Sequence, residues 1–255
     1  MMRGMTHHRD HHAEHTPEAI RERIEGGTRQ AYLKDSVFGA IDGTVTTFAI
    51  VSSVAGAGLS SGLVVILGLA NLLGDGFSMA SGNFLGTRAE NQASRRTRRE
   101  EEWEIDVYPE GEREEVRQIF AAKGLSGETL EHVVEVITAD RERWIKVMMQ
   151  EEHGIQANQP VAWKAAVATF FAFLLVGTIP LMAYLVDLMA PSAVGQPFLV
   201  AGGMTAVAFI LIGAFKAHVV GQRMWLGAFE TLVVGALASG MAYAIGYLLR
   251  PYVEL

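Results

Sequence analysis

Val161–Ala190, VAWKAAVATFFAFLLVGTIPLMAYLVDLMA, is the stretch on which the fold turns. Its only charged residues are Lys164 near one end and Asp187 near the other. A helix rises about 1.5 Å per residue, so about 20 apolar residues cross a bilayer core of about 30 Å. Four further blocks of the same kind surround it: Val37–Ala57, Leu59–Ala80, Phe198–Phe215 and Trp225–Leu249. A helix of a soluble domain carries an apolar stripe, whereas these blocks are apolar all round. The 255-residue chain therefore reads as an all-α integral membrane protein with five transmembrane helices.

The charges are as segregated as the apolar residues. Between Glu100 and Glu152 lie 16 of the 28 Asp and Glu residues, so the net charge of −7 is a local property. It argues against nucleic acid as a partner. There is no cysteine, which excludes disulfides, thiolate zinc sites and thiol catalysis. The first 35 residues are polar and rich in histidine, with no apolar run ending in a cleavage site, so no secretory signal is expected.

Lys and Arg mark the cytoplasmic ends of spans. Arg21, Arg23, Arg29 and Lys34 precede the first span; Arg88, Arg95, Arg96, Arg98 and Arg99 follow the second; Lys216 and Arg223 join the fourth to the fifth. The connections Gly58–Gly62 and Asp187–Pro197 carry neither residue. An N-in, C-out topology satisfies all of these. The expected organisation is a tail with an amphipathic helix at residues 1–35, two spans at 36–87, a cytoplasmic acidic metal-binding domain at 88–159 and three spans at 160–255. The tail helix starts at Thr16-Pro17-Glu18 and suits a membrane surface.

The acidic insert reads as three helices. The second span has no breaker at its end, so its helix is expected to run on through Arg88 and Trp103. Pro109 opens a second helix over Glu110–Lys123 and Gly124 closes it. A third is expected from Ser126 to about His153-Gly154. In the third span, Pro180 can kink the helix.

A carboxylate near the centre of a span costs about 2.5–3.5 kcal/mol on the lenient insertion scale, which marks it as part of a pathway or proton relay. Asp42 and Met79 sit on antiparallel helices, both roughly 10–14 Å in from the cytoplasmic end. Carboxylate oxygen beside thioether sulfur is a mixed hard and soft donor set that suits Fe²⁺ better than Mg²⁺ or Ca²⁺. Gly39 and Gly43 form a Gly-xxx-Gly pair that permits close helix approach, as across a dimer axis. Asp75 and Glu230 are candidates for proton coupling, and either can instead pair with a helix end or with Lys216.

In the insert, Glu101 and Glu104 are three apart on one expected helix, and Glu112 and Glu115 three apart on the next; residues so spaced share a face. Met148, Met149, Glu151 and Glu152 follow near the end of the third. Carboxylate and thioether recur together, so these residues are candidate metal ligands. His7, His8, His11, His12 and His15 form a further His tract that can hold metal loosely.

Leu33–Thr47, LKDSVFGAIDGTVTT, and Ala70–Leu85, ANLLGDGFSMASGNFL, resemble the vacuolar iron transporter (VIT) family, and the wording of the second is closer to its bacterial members. The resemblance implies a homodimer of five-span subunits, with no resident prosthetic group, that exchanges cytosolic Fe²⁺ for protons. It puts the pathway carboxylate and methionine on Asp42 and Met79. It puts the cytoplasmic metal ligands on Glu101, Glu104, Glu112, Glu115 and Glu152, with Met148. Position 71 is Asn, where plant members look to have glutamate. A plasma membrane is expected, or a vacuolar one in a eukaryote. The alternatives are Mn²⁺ or broad divalent selectivity reaching Co²⁺ and Zn²⁺, a metal sensor or store, and a membrane-anchored ferritin-like oxidase. The oxidase normally needs Glu-x-x-His motifs, and the sequence has none. A secondary transporter rather than an enzyme is therefore expected.

Overall fold

A computed structural model describes residues 15–25, 29–156, 158–191 and 193–253. The elements among them are helical: α1 (Pro17–Glu25), α2 (Arg29–Gly56), α3 (Ser61–Val107), α4 (Pro109–Ala122), α5 (Gly127–Thr138), α6 (Arg141–Glu151), α7 (Ala162–Gly177), a 3₁₀ turn (Ile179–Leu181), α8 (Met182–Met189), α9 (Pro197–Val219) and α10 (Met224–Val253). Five stretches are long and apolar enough to cross a membrane: Tyr32–Gly56, Ser61–Val107, Ala162–Met189, Pro197–Val219 and Met224–Tyr252. This is the five-span, all-helical architecture read from the apolar blocks. His7, His8, His11 and His12 lie outside the described residues, and His15 is exposed.

The helices divide into two compact units, residues 29–85 with 162–255, and residues 86–161 with α1. In the first, the span unit, α2 is central: it packs most extensively on α7, then on α10, and α9 packs on α10. Small residues make these approaches possible. A Cβ on Gly39 would meet the Thr169 carbonyl of α7, and one on Gly43 the Phe173 backbone. The Gly39/Gly43 pair thus packs on α7 inside the chain. Gly213 and Gly227 face each other across α9 and α10 in the same way. Phe198 bridges the remaining gap, stacking on Phe48 of α2 and on Tyr243 of α10.

Several buried hydroxyls in this unit bond to their own helix, while those of Thr47 and Ser52 have no hydrogen-bond partner among the described residues. Thr44 donates to the Ala40 carbonyl at 2.7 Å, Thr205 to Ala201 at 2.7 Å and Thr231 to Gly227 at 2.9 Å. Such bonds satisfy polar groups that apolar surroundings would leave unpaired. At Pro180 the third span breaks: α7 ends, the 3₁₀ turn follows and α8 resumes. Proline lacks the N–H for a helical bond and displaces the carbonyl four residues back. Thr178 donates to the Leu174 carbonyl at 2.6 Å beside the break.

In the second, acidic unit, α3 continues without interruption to Val107 and α4 opens at Pro109, as its sequence predicts. The stretch expected as one helix from Ser126 is two. α5 stops at Thr138 and α6 restarts at Arg141, because the Asp140 side chain accepts from the Arg143 N–H at 2.8 Å and caps a new helix. The turn lets α4, α5 and α6 close on a small core of Ile105, Val116, Leu130, Val134, Ile137, Trp144, Ile145, Met148 and Met149.

Candidate functional site

Two groups of polar residues stand out, one in each unit. In the span unit, α3 carries Asn71, Asp75, Met79 and Asn83 at successive intervals of four, a spacing that keeps neighbours on one helix face. Asn71 donates to the Asp75 carboxylate. Asn83 donates to Thr169 of α7 at 2.7 Å and hydrogen-bonds Asp35 of α2. Asp42, on α2, is half-buried, and its carboxylate is close enough to Asp75 for the two charges to interact. Met79 is half-buried one turn along from Asp75. The structure therefore gathers Asp42 and Asp75, with Met79 next along the face. Glu230 stands elsewhere, in an ion pair with Lys216 at 2.8 Å.

In the acidic unit the charges sort themselves. Arg98 holds Glu102 and, through two bonds of 2.8 Å, Glu142; Arg141 holds Asp106 at 2.9 Å. Arg117 holds Glu131 at 2.8 Å and also Glu114, and Lys123 holds Glu151. Glu101, Glu104, Glu112, Glu115 and Glu152 are left without an Arg or Lys at ion-pair distance among the described residues. Exposed pairs of this kind contribute under about 1 kcal/mol each. Their consequence here is chemical, since among the described residues they leave a cluster of negative charge that no Arg or Lys neutralises.

That cluster is electrostatically strained. Glu101 is 2% exposed and Glu112 5%. Each has an Oε2 without a hydrogen-bond partner. Burial, then the charges of Glu101, Glu115, Glu104 and Glu152, push Glu112 up to about 7. Burial also raises Glu115, helped by the Glu152 charge and a hydrogen bond to Glu152. Buried carboxylates without countercharge are costly, and a bound cation would remove the cost. Met148 and Met149 of α6 are buried in the apolar core of this unit.

One residue of this group escapes the sequence reading. His153 follows α6, and its Nε2 lies 2.7 Å from Glu101 Oε1. Glu101, Glu152 and His153 offer one ligand atom each, all within 4.8 Å of one another. Burial disfavours the charged ring, yet the bond to Glu101 and the charges of Glu152, Glu101 and Glu104 outweigh it and raise the His153 pKa. The signal available in the sequence was the run Glu151-Glu152-His153-Gly154, which reads as a helix end unless its fold is known.

Five helices long and apolar enough to cross a membrane, with a helical unit in which carboxylates cluster around Glu112, define a polytopic membrane protein. A model of the VIT family matches residues 33–247, and the chain belongs to that family. It is 32% identical over 230 residues to the vacuolar iron transporter of Toxoplasma gondii, covering 88% of this chain and 76% of that one. It is 30% identical over 214 residues to vacuolar iron transporter 1 of Arabidopsis thaliana, covering 84% of each. To the vacuolar iron transporter of Plasmodium berghei it is 28% identical over 250 residues, 96% of this chain and 88% of the relative.

Proposed function

We propose that the chain is a secondary transporter that exports Fe²⁺ from the cytosol in exchange for protons. The relatives' names supply the ion. The observation that carries the pathway is Asp42, set in an apolar helix within charge range of Asp75, with Met79 one turn along from Asp75. Fe²⁺ is borderline in softness, and carboxylate with thioether suits it. Glu101, Glu104, Glu112, Glu115 and Glu152 gather the ion from the cytosol, with Met148 and Met149 as the thioether candidates. One helix, α3, carries both Asp75–Met79 and Glu101–Glu104. Protonation of Asp42 from the acidic side weakens its hold on the metal, which couples the two fluxes by competition for one carboxylate. Asp75 is the second proton-handling candidate. The Glu230 carboxylate, held by Lys216, would have to leave that pair to join it.

A homodimer is part of the same proposal. Asp75 is exposed on α3 in the single chain, beside Leu73 and Phe77, which are 58% and 68% exposed. Lipid tolerates the two apolar residues but not the carboxylate. A second copy of the chain, enclosing an aqueous path, accommodates all three. With the N-terminus and the acidic unit in the cytoplasm, as the Lys and Arg distribution favours, the host membrane is a plasma membrane or, in a eukaryote, a vacuolar one.

The test is uptake of Fe²⁺ and Mn²⁺, in parallel, into proteoliposomes with and without an imposed pH gradient. Gradient-driven Fe²⁺ uptake exceeding that of Mn²⁺ is expected. Uptake of Mn²⁺ alone would move the ion assignment and keep the pathway, and no flux of either ion would end the transporter reading.

A further inference from the structure

We propose that His153 is itself a metal ligand, adding one imidazole nitrogen to the carboxylates of Glu101 and Glu152 and tilting the acidic site toward the later first-row divalent ions. The inference rests on reading the acidic cluster as a metal site. It assigns a residue and a selectivity that the spacing of the glutamates does not contain.

The argument is geometric. Nitrogen and oxygen ligands lie about 2.0–2.2 Å from a divalent ion, so two donors on one ion stand about 3.0–3.4 Å apart. His153 Nε2 is 2.7 Å from Glu101 Oε1 and 3.9 Å from Glu152 Oε2, which brackets that spacing. The second oxygen of Glu101 is buried and unpartnered, so the carboxylate is available to an ion at this point. The backbone also holds the ring there. The Glu152 N–H bonds the Met148 carbonyl at 3.0 Å, the His153 N–H bonds the same carbonyl at 3.4 Å, and the Ile155 N–H bonds that of Met149 at 2.8 Å. Gly154 turns the chain between them at φ +66°, a conformation that other residues rarely adopt. The turn therefore presents Glu152 and His153 together, directly after the buried Met148 and Met149 in the chain.

An imidazole changes what the site prefers. Oxygen donors hold Mn²⁺ well, whereas nitrogen favours Fe²⁺, Co²⁺ and Zn²⁺ progressively more. A bland alternative has the ring merely clamp Glu101 through its hydrogen bond. The two roles separate by substitution. His153→Gln keeps a donor that can reach Glu101 but offers no imidazole nitrogen, and His153→Leu removes both.

The experiment uses the full chain in detergent, with His7, His8, His11, His12 and His15 replaced by Ala so that the tail supplies no nitrogen. Mn²⁺ is loaded and its nitrogen couplings are read by pulsed electron paramagnetic resonance; Co²⁺ and Mn²⁺ affinities are compared by competition. Nitrogen coupling is expected in the parent and absent in both His153 variants, which still bind Mn²⁺. Their Co²⁺-over-Mn²⁺ preference should fall by at least about tenfold, the lower end of the cost of disturbing even a ligand's outer partner. Two results overturn the proposal and leave the cluster standing: Mn²⁺ bound without nitrogen coupling but weakened by Glu101→Gln, or a His153→Gln variant with the parent's preference. Metal binding insensitive to both Glu101→Gln and Glu112→Gln overturns the cluster and His153 together.

Discussion

Replacing Glu112 by Gln should make the metal-free protein more stable and the metal-bound protein less so. Gln has nearly the same shape and no charge. Glu112 is buried among four other carboxylates, and its pKa stands at about 7 against an ordinary 4.5. Each pH unit of that rise is worth about 1.4 kcal/mol, so the ionised side chain costs the metal-free fold about 3 kcal/mol. The folded pKa lies above the unfolded one, so the folded state binds this proton more tightly. The penalty is therefore absent below about pH 4.5, grows as pH rises and is complete above about 7. At pH 8 the unloaded Gln variant should gain up to about 3 kcal/mol, or roughly a hundredfold in hydrogen-exchange protection of α4–α6 amides that open with the acidic unit. At pH 5 most of that difference should vanish. Saturating Mn²⁺ should protect the same amides in the wild type and much less in the variant. Equal protection of the two unloaded proteins at pH 8 would refute the charge argument. Equal protection by Mn²⁺ would remove Glu112 from the ligand set.

Three further outcomes follow from the same geometry. Metal affinity of the acidic unit, measured in Asp42→Asn protein, should fall about tenfold from pH 8 to pH 6, because Glu112 takes up its proton near 7 and a protonated carboxyl is no ligand. A pH-independent affinity would contradict this. Gly43→Val should lower the melting temperature in detergent, since its side chain meets the Phe173 backbone, at a cost of about 1–3 kcal/mol. Gly203→Ala on α9, with open space around it, is the control and should melt as the wild type does. Met79→Leu should keep the fold and the flux but narrow the preference for Fe²⁺ over Mn²⁺, read as the ratio of initial uptake rates; an unchanged ratio would make Met79 a packing residue.

The spans were legible because a bilayer imposes a length and a composition that no soluble helix shares. The run-on of α3 was equally plain: nothing between Ala80 and Val107 breaks a helix, and nothing does. The division of the third insert helix was not, since Asp140 reads as one more acid until its side chain is seen to cap α6. The glutamate pairs could be found from their three-residue spacing. Which carboxylates remain unpaired could not, because that depends on where Arg98, Arg117 and Arg141 reach in space. Glu151 and Glu152 are indistinguishable as letters, yet Lys123 takes the first while the second lies beside Glu101 and His153. The Gly39/Gly43 pair signals close packing in the sequence, but only the fold says that the partner is α7.

The central claim is that metal and proton compete for Asp42. It is tested most directly by recording metal and proton flux in the same proteoliposomes, with one fluorescent reporter for Fe²⁺ and another for pH. Wild-type protein should move protons against the metal, an Fe²⁺ gradient alone driving proton movement and a pH gradient alone driving Fe²⁺ movement, and Asp42→Asn should abolish both. Metal flux in Asp42→Asn at the wild-type rate, or wild-type metal flux without proton movement, would contradict the account.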